Sequence, residues 1–357
     1  MRNYLIRRLL LIPVTLLGIL ALNFAIIQFA PGGPVEYVLA QYQGINTDAT
    51  SSISGKATTI DNKSSGHYQG ASGVPDELVK ALEKQFGFDK PAWERFVIMI
   101  KDYAMFNFGK SFYQDKSVWQ LIKEKMPVSI SLGLWSTLII YLIAIPLGIK
   151  KAVQDGSRFD LVTSFLVVFG SAIPVFLFAV ALIVLFAGGN YLNWFPLHGL
   201  TSENWEELSI IGKVKDYFWH ITLPVTVMVI GGFASLTMLT KNSFLDEINK
   251  PYVLTARAKG LSDNEVLYKH VFRNAMLLVI SGFPSLLIKM LFTGSLLIEV
   301  IFSLNGLGLL GYQSIMTRDY PVVFGTMYIF ALLGLVLKLV SDITYCLIDP
   351  RINFDAK

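Results

Sequence analysis

Apolar positions in this chain neither alternate nor follow a single helical face; they run together in blocks of bilayer length. About 20 consecutive apolar residues carry a helix across a hydrocarbon core of roughly 30 Å. Six blocks meet that length, at 9–30, 128–149, 161–187, 221–240, 275–298 and 322–348. Arg2, Arg7 and Arg8 precede the first block and give it the look of a signal peptide. It is too long for a signal core of about 7–15 residues, and no small-residue cleavage site follows, so it reads as a retained helix. The pattern predicts an all-α membrane protein of six transmembrane helices, with a helical insertion outside the membrane between helices 1 and 2.

The polar intervals divide the chain further. Residues 1–30 form the first membrane helix, 31–127 an outside loop and helical cap, and 128–357 a five-helix core with a cytoplasmic loop at 241–274. Pro31, Gly32, Gly33 and Pro34 stop the first helix. Residues 44–73 are Ser-, Thr-, Gly- and Asn-rich, with little to bury against their ordering entropy, which predicts a flexible stretch. Helix signals resume at Pro75, ending at Gly87, and again at Pro91, where Trp93, Phe96, Val97, Ile100 and Tyr103 mark an apolar face. A third short helix is predicted over 118–126.

Composition fits this picture. Of 357 residues, 53% are hydrophobic and 16% charged, well below the roughly 25% charge of a soluble domain. The placement of charge matters more than the net +4. With the N-terminus inside, the inner segments hold Arg2, Arg7, Arg8, Lys150, Lys151, Arg158, Lys241, Lys250, Arg257, Lys259, Lys269, Arg273, Arg351 and Lys357. The short outer loops hold only Lys213, Lys215 and Arg318. Lysine and arginine bias of this kind places both termini of a multi-pass membrane protein in the cytoplasm. Basic residues that follow topology give no case for nucleic acid. One cysteine, Cys346, excludes a disulfide framework, and four scattered histidines show no metal-ligand spacing.

The loop at 241–274 carries the most design. Pro251 opens a short helix that ends at Gly260, and Arg257 and Lys259 sit in its last turn, where cations suit the dipole. Ser262 and Glu265 have capping-box spacing and start a second helix. Ala256, Ala258 and Gly260 keep the turn slim enough to enter a groove on a partner. The same residues also suit an ordinary interfacial loop with its basic side chains at lipid headgroups.

At these residues the chain resembles the binding-protein-dependent ABC importer permeases. The stretch Thr255, Ala256, Arg257, Ala258, Lys259, Gly260, Leu261 is similar to that family's EAA loop, with Ala256 and Gly260 on its second alanine and its glycine. Thr255 replaces the first alanine, and Leu254 stands where many members carry glutamate. The likeness extends through Tyr4 to Arg8, Ala30 to Pro34, Phe86 to Pro91, Lys123 to Trp135, Leu185 to Gly189, Arg273 to Ala275, Ile298 to Phe302, Arg318 to Val322 and Asp349 to Ile352. Within the family it most resembles the oligopeptide and dipeptide branch, nearest the permease of the microcin C and oligopeptide importer. The resemblance implies a non-catalytic subunit that forms half of a peptide pathway. Its implied partners are a second related permease in a heterodimer, two cytoplasmic ATP-binding subunits that hold ATP and magnesium, and a periplasmic peptide-binding protein. It implies a coupling helix at 251–261, gripped by the ATPases, and no cofactor or metal in this chain.

Other patterns decide less. Gly306, Gly308 and Gly311 fit G-x-G-x-x-G but lie in an outer loop between membrane helices, where a tight turn with close backbone approach explains them better than a dinucleotide. No phosphate-cradling G-x-x-x-x-G-K-[ST] occurs, nor a nucleophile elbow, H-E-x-x-H or C-x-x-C. Lys289 and Lys338 fall inside apolar blocks, where a charge normally faces protein or water. Asp342, four residues after Lys338, offers it a structural ion pair. Lys289 has no local partner and either lines a hydrated pathway or pairs with another helix. A secondary transporter or another multi-span solute transporter is the alternative class, although no internal repeat of the kind such folds use is visible.

Overall fold

The computed structural model describes residues 2–29, 80, 83, 89–188, 191–288 and 296–348. They form helices α1 (Arg2–Phe29), α2 (Ala92–Ala104), α3 (Val118–Val153), α4 (Arg158–Ala172), α5 (Val175–Phe186), α6 (Ile210–Ile248), α7 (Pro251–Ala258), α8 (Phe272–Ile288), α9 (Leu296–Ile301), α10 (Leu307–Thr317) and α11 (Tyr320–Ile348). The stretch 44–73, most of the helix predicted before Gly87, and Lys289 lie outside the described residues.

Among the described residues, four helices are long and apolar enough to cross a bilayer, at Ile6–Ala25, Val118–Val153, Ile210–Ile248 and Tyr320–Thr344. The third predicted block is not one straight helix: α4 and α5 meet at a bend of 91°. Pro174 causes it. A residue before proline is pushed out of the helical region, and Ile173 is extended, with φ −76° and ψ 123°. The fifth predicted block is described as α8 and α9 on either side of 289–295.

Two further boundaries differ from the sequence reading. The helix predicted over 118–126 is the first part of α3, which runs 36 residues through Pro127 and Pro146. Membrane helices tolerate proline because neighbouring groups re-satisfy the freed carbonyl. α6 runs 39 residues, beyond 221–240 at both ends, because no breaker appears until Asn249, Lys250 and Pro251.

The chain divides into two compact units. The larger holds Met1–Arg8, Lys125–Leu309 and Leu333–Lys357. Its core includes Leu132, Ile140, Ala144, Val227, Phe244, Val253, Val279 and Ile298, all essentially sealed. α6 is central here, packing against α4, α5 and α8. Where α3 meets α6, a Cβ on Gly148 would stand 2.6 Å from Thr240 Cβ and 2.8 Å from the Thr237 carbonyl, so only glycine allows the approach.

The smaller unit holds Leu9–Glu124 and Leu310–Leu332. Its core is aromatic: Tyr103, Phe108 and Tyr328 meet with ring centroids 5.0–5.6 Å apart. Of the face predicted on α2, Tyr103 is buried, whereas Trp93 and Val97 are exposed. Asp319 is buried between α10 and α11, where its carboxylate accepts from the Ser111 hydroxyl and, at 3.2 Å, from the Phe112 amide. Burial raises its pKa above the ordinary carboxylate value.

Candidate functional site: the short helix between α6 and α8

The site begins where α6 ends. Lys250 is extended, with φ −75° and ψ 150°, and Pro251 takes the first helical position of α7. The Glu247 carboxylate pairs with Lys250 and accepts from the Tyr252 hydroxyl at 2.7 Å, and Asn274 Nδ2 reaches the same hydroxyl at 3.3 Å. One tyrosine therefore ties α7 to the end of α6 and the start of α8. Burial, chiefly, raises the pKa of that hydroxyl.

α7 buries one side and exposes the other. Val253 and Ala256, three residues apart, lie in the core of the larger unit at 1% and 6% exposure. Leu254 is 65% exposed. Thr255, Arg257, Ala258 and Lys259 are exposed, and Leu261 is half-buried against the core. Thr255 Oγ1 donates back to the Pro251 carbonyl at 3.2 Å. Gly260 holds φ +83°, with its amide 2.9 Å from the Arg257 carbonyl, the left-handed stop that glycine adopts at least cost. A Cβ there would meet nothing within 4 Å, so the backbone conformation, not slimness, demands the glycine.

The second helix starts as its spacing predicts. Ser262 Oγ accepts from the Glu265 amide at 3.4 Å, and Glu265 accepts from the Ser262 amide at 3.2 Å, a reciprocal capping box. Lys269 Nζ lies 2.8 Å from Glu265. Lys269 foremost, with Ser262, holds the Glu265 carboxyl down at about 2. A carboxyl depressed on folding contributes above its ordinary pKa and loses that contribution only as pH falls through its folded value, so the cap persists at neutral pH. The chain then passes through a π-helical turn, Val266–Val271, directly into α8, so this half of the loop is continuous with that helix. Ser243 Oγ donates to the Ala275 carbonyl at 2.6 Å and closes α6 onto α8.

An ionic cluster lies one to two turns back along α6. Lys151 is fully buried, with Nζ 3.0 Å from Asp160 Oδ1, 2.9 Å from Thr163 Oγ1 and 2.7 Å from Ser164 Oγ. Lys241 Nζ lies 2.7 Å from Asp160 Oδ2 and 2.8 Å from Asp155. The Gly156 amide also donates to Asp160, at 3.2 Å. The sequence reading took Lys151 and Lys241 only as topology charges and passed over Asp160. An acid placed at the start of an apolar run was the available signal.

Elsewhere, Asp342 pairs with Arg8 rather than with Lys338, which is exposed on α11. Arg8 enters from α1, a partner that spacing along one helix could not reveal. Gly306 makes room for a side chain, not for backbone. Its Cβ would fall 2.3 Å from the fully buried Glu299, which accepts from Ser129 Oγ at 3.1 Å and the Leu309 amide at 2.6 Å.

Residues 144–354 match the family of binding-protein-dependent transport system inner membrane components. The chain is 57% identical to the inner membrane ABC transporter permease protein YejB of Escherichia coli O157:H7, over the full length of both. It is 55% identical, again over both full lengths, to the peptidoglycan transport system permease protein YejB of Agrobacterium fabrum. Identity is 33% to the oligopeptide transport system permease protein AppB of Bacillus subtilis, covering 99% of this chain and 100% of the relative. Among solved structures, an inward-facing MetNI methionine ABC transporter aligns with TM-score 0.48 and 15% identity, over 64% of this chain and 97% of that one. The chain belongs to the binding-protein-dependent ABC importer permeases, multi-pass inner-membrane proteins that work with ATPase, substrate-binding and permease partners.

Asp160→Asn removes the counter-charge of a sealed lysine, a change that typically costs about 3–5 kcal/mol. The variant is expected to unfold at clearly lower temperature in detergent. Adding Lys151→Met should recover part of the loss, because Lys241 keeps Asp155. Equal melting of Asp160→Asn and the parent would show that the cluster holds nothing together.

Proposed function

We propose that this chain forms half of the translocation pathway of a peptide importer and is driven through α7. Its substrates are oligopeptides, including microcin C-like peptides. One related permease completes the pathway as a heterodimer, two cytoplasmic subunits bind and hydrolyse ATP, and a periplasmic protein delivers peptide. The chain itself hydrolyses no ATP and performs no covalent step. The observation that carries the reading is the built character of residues 251–265: a short helix with one buried side, a glycine stop, and a capping box whose helix runs without a break into α8. A push on α7 passes to α6 through Glu247 and Tyr252, and to α8 through Asn274 and the π turn. Alternating access then follows as rearrangement of those two helices. Likeness over nearly the whole chain to permeases of oligopeptide and dipeptide systems supports the substrate class.

Gly260→Val places a β-branched residue at φ +83°, a conformation that costs an L-residue about 1–2 kcal/mol, in space that is otherwise open. The variant should insert and assemble, but its peptide uptake per ATP hydrolysed in proteoliposomes should fall severalfold. An unchanged ratio would remove α7 from the coupling path.

The orientation has both termini and α7 in the cytoplasm. In a Cys346→Ser background, Asp115→Cys should react with a membrane-impermeant maleimide on intact spheroplasts, and Ser262→Cys should react only after lysis. The opposite pattern would invert the topology.

A further inference from the structure

Lys338 lies on α11 about 9 Å inside the Thr344 end of an apolar span that begins at Tyr320. A cation at such depth faces protein or water, not acyl chains. Among the described residues it has no ionic partner, because the carboxylate one turn on, Asp342, is taken by Arg8. Lys338 is nonetheless exposed.

Helical spacing separates two sides of α11 at this level. Gly334, Lys338, Ser341 and Asp342 share one side, and Leu333, Val336, Val340 and Ile343 share the other. The apolar side suits lipid, with Val336 and Val340 41% and 48% exposed. The polar side meets other helices of the same compact unit. Asp342 pairs with Arg8 of α1, and Ser341 Oγ donates to the Ser281 carbonyl of α8 at 3.4 Å. One turn beyond Lys338 on this side, a Cβ on Gly334 would meet nothing within 4 Å. The lysine therefore stands at open space on the protein side of α11, away from the side suited to lipid. With Asp342 neutralised by Arg8, that side keeps one positive charge, which suits an anion.

We propose that Lys338 lines the peptide's path and pairs with the C-terminal carboxylate of a peptide in transit, so that it selects for peptides with a free carboxyl end. This rests on the pathway role given above and names the group on the substrate that the pathway reads. The terminal carboxylate is the anion that every unmodified linear peptide carries, whatever its side chains. Away from bulk water, an ammonium and a carboxylate attract more strongly than at an open surface. Lysine's single charge on a flexible stem can follow a carboxylate that arrives in varied positions, whereas a planar guanidinium favours one geometry.

The test is competition between a peptide with a free C-terminus and its C-terminal amide, taken up with ATP by the complete transporter in proteoliposomes. Peptide-binding protein is held at one fixed level, so its own preference cancels when variants are compared. Lys338→Met should lower the acid-to-amide uptake ratio about tenfold, the scale of one charge-assisted hydrogen bond, and leave uptake of the amide unchanged. Lys338→Arg should keep most of the parent ratio. In a Cys346→Ser background, Lys338→Cys should react with a cationic methanethiosulfonate, and more slowly while peptide is transported. An unchanged ratio in Lys338→Met, or equal loss of acid and amide, would overturn the proposal. Loss of the second permease from the purified Lys338→Met complex would overturn it in favour of an acid on that chain. Failure of Lys338→Cys to react, with a bimane at that cysteine quenched by brominated lipid, would place the residue against lipid and overturn it too. If the parent takes up peptide with ATP and Lys338→Met keeps its ratio, the carboxylate contact fails and the pathway role stands; if the parent complex takes up no peptide with ATP, both fail.

Discussion

One carboxylate does most to fix one end of the larger unit. Asp160 stands between a sealed lysine on α3 and a nearly sealed lysine on α6, the Gly156 amide also donates to it, and the Thr163 and Ser164 hydroxyls accept from the sealed lysine. A buried charge without its partner is costly, so the three helix ends that supply this cluster are held together. The close approach of α3 and α6 at Gly148 lies within reach of the same stretch, because Thr237 and Thr240 immediately precede Lys241. Fixing α6 at this level leaves its last turns, 242–248, as a rigid arm that ends at Pro251.

The arm matters because α7, the proposed coupling element, is attached to it by few groups. Glu247, Tyr252 and Asn274 form the polar link, and Val253 and Ala256 the apolar one. In the proposed role, a helix of this size transmits force only if its base does not yield. The ionic cluster, Ser243 on the Ala275 carbonyl and the Phe244–Phe272 contact at 5.9 Å supply that base. The π turn before α8 lies between the cap and that helix, where a change in pitch would rotate everything beyond it.

Local chemistry was the legible part of the sequence. Pro251, Gly260 and the Ser262–Glu265 spacing each act through neighbours in the chain, so reading them in order located α7 and its cap. Bilayer-length apolar blocks likewise gave the helical class. What depended on other helices was not readable. Asp342 took Arg8 instead of Lys338, Gly306 answered to Glu299, and Asp160 collected two lysines from distant positions. The bend at Pro174 was a local signal passed over, because an unbroken run of apolar residues masked a proline that ends one helix and opens another. The ends of α3 and α6 were set too short because hydropathy marks where lipid begins, whereas a helix continues until a breaker.

The central claim is that this chain is a passive pathway whose motion is powered by other chains. The direct measurement is purification of the full-length protein from its own membranes in mild detergent, with identification and counting of the chains that come with it. The account predicts one related permease and two ATP-binding subunits, retained together and hydrolysing ATP. A chain that purifies alone and, so purified, still concentrates peptide in liposomes energised by an ion gradient would contradict it.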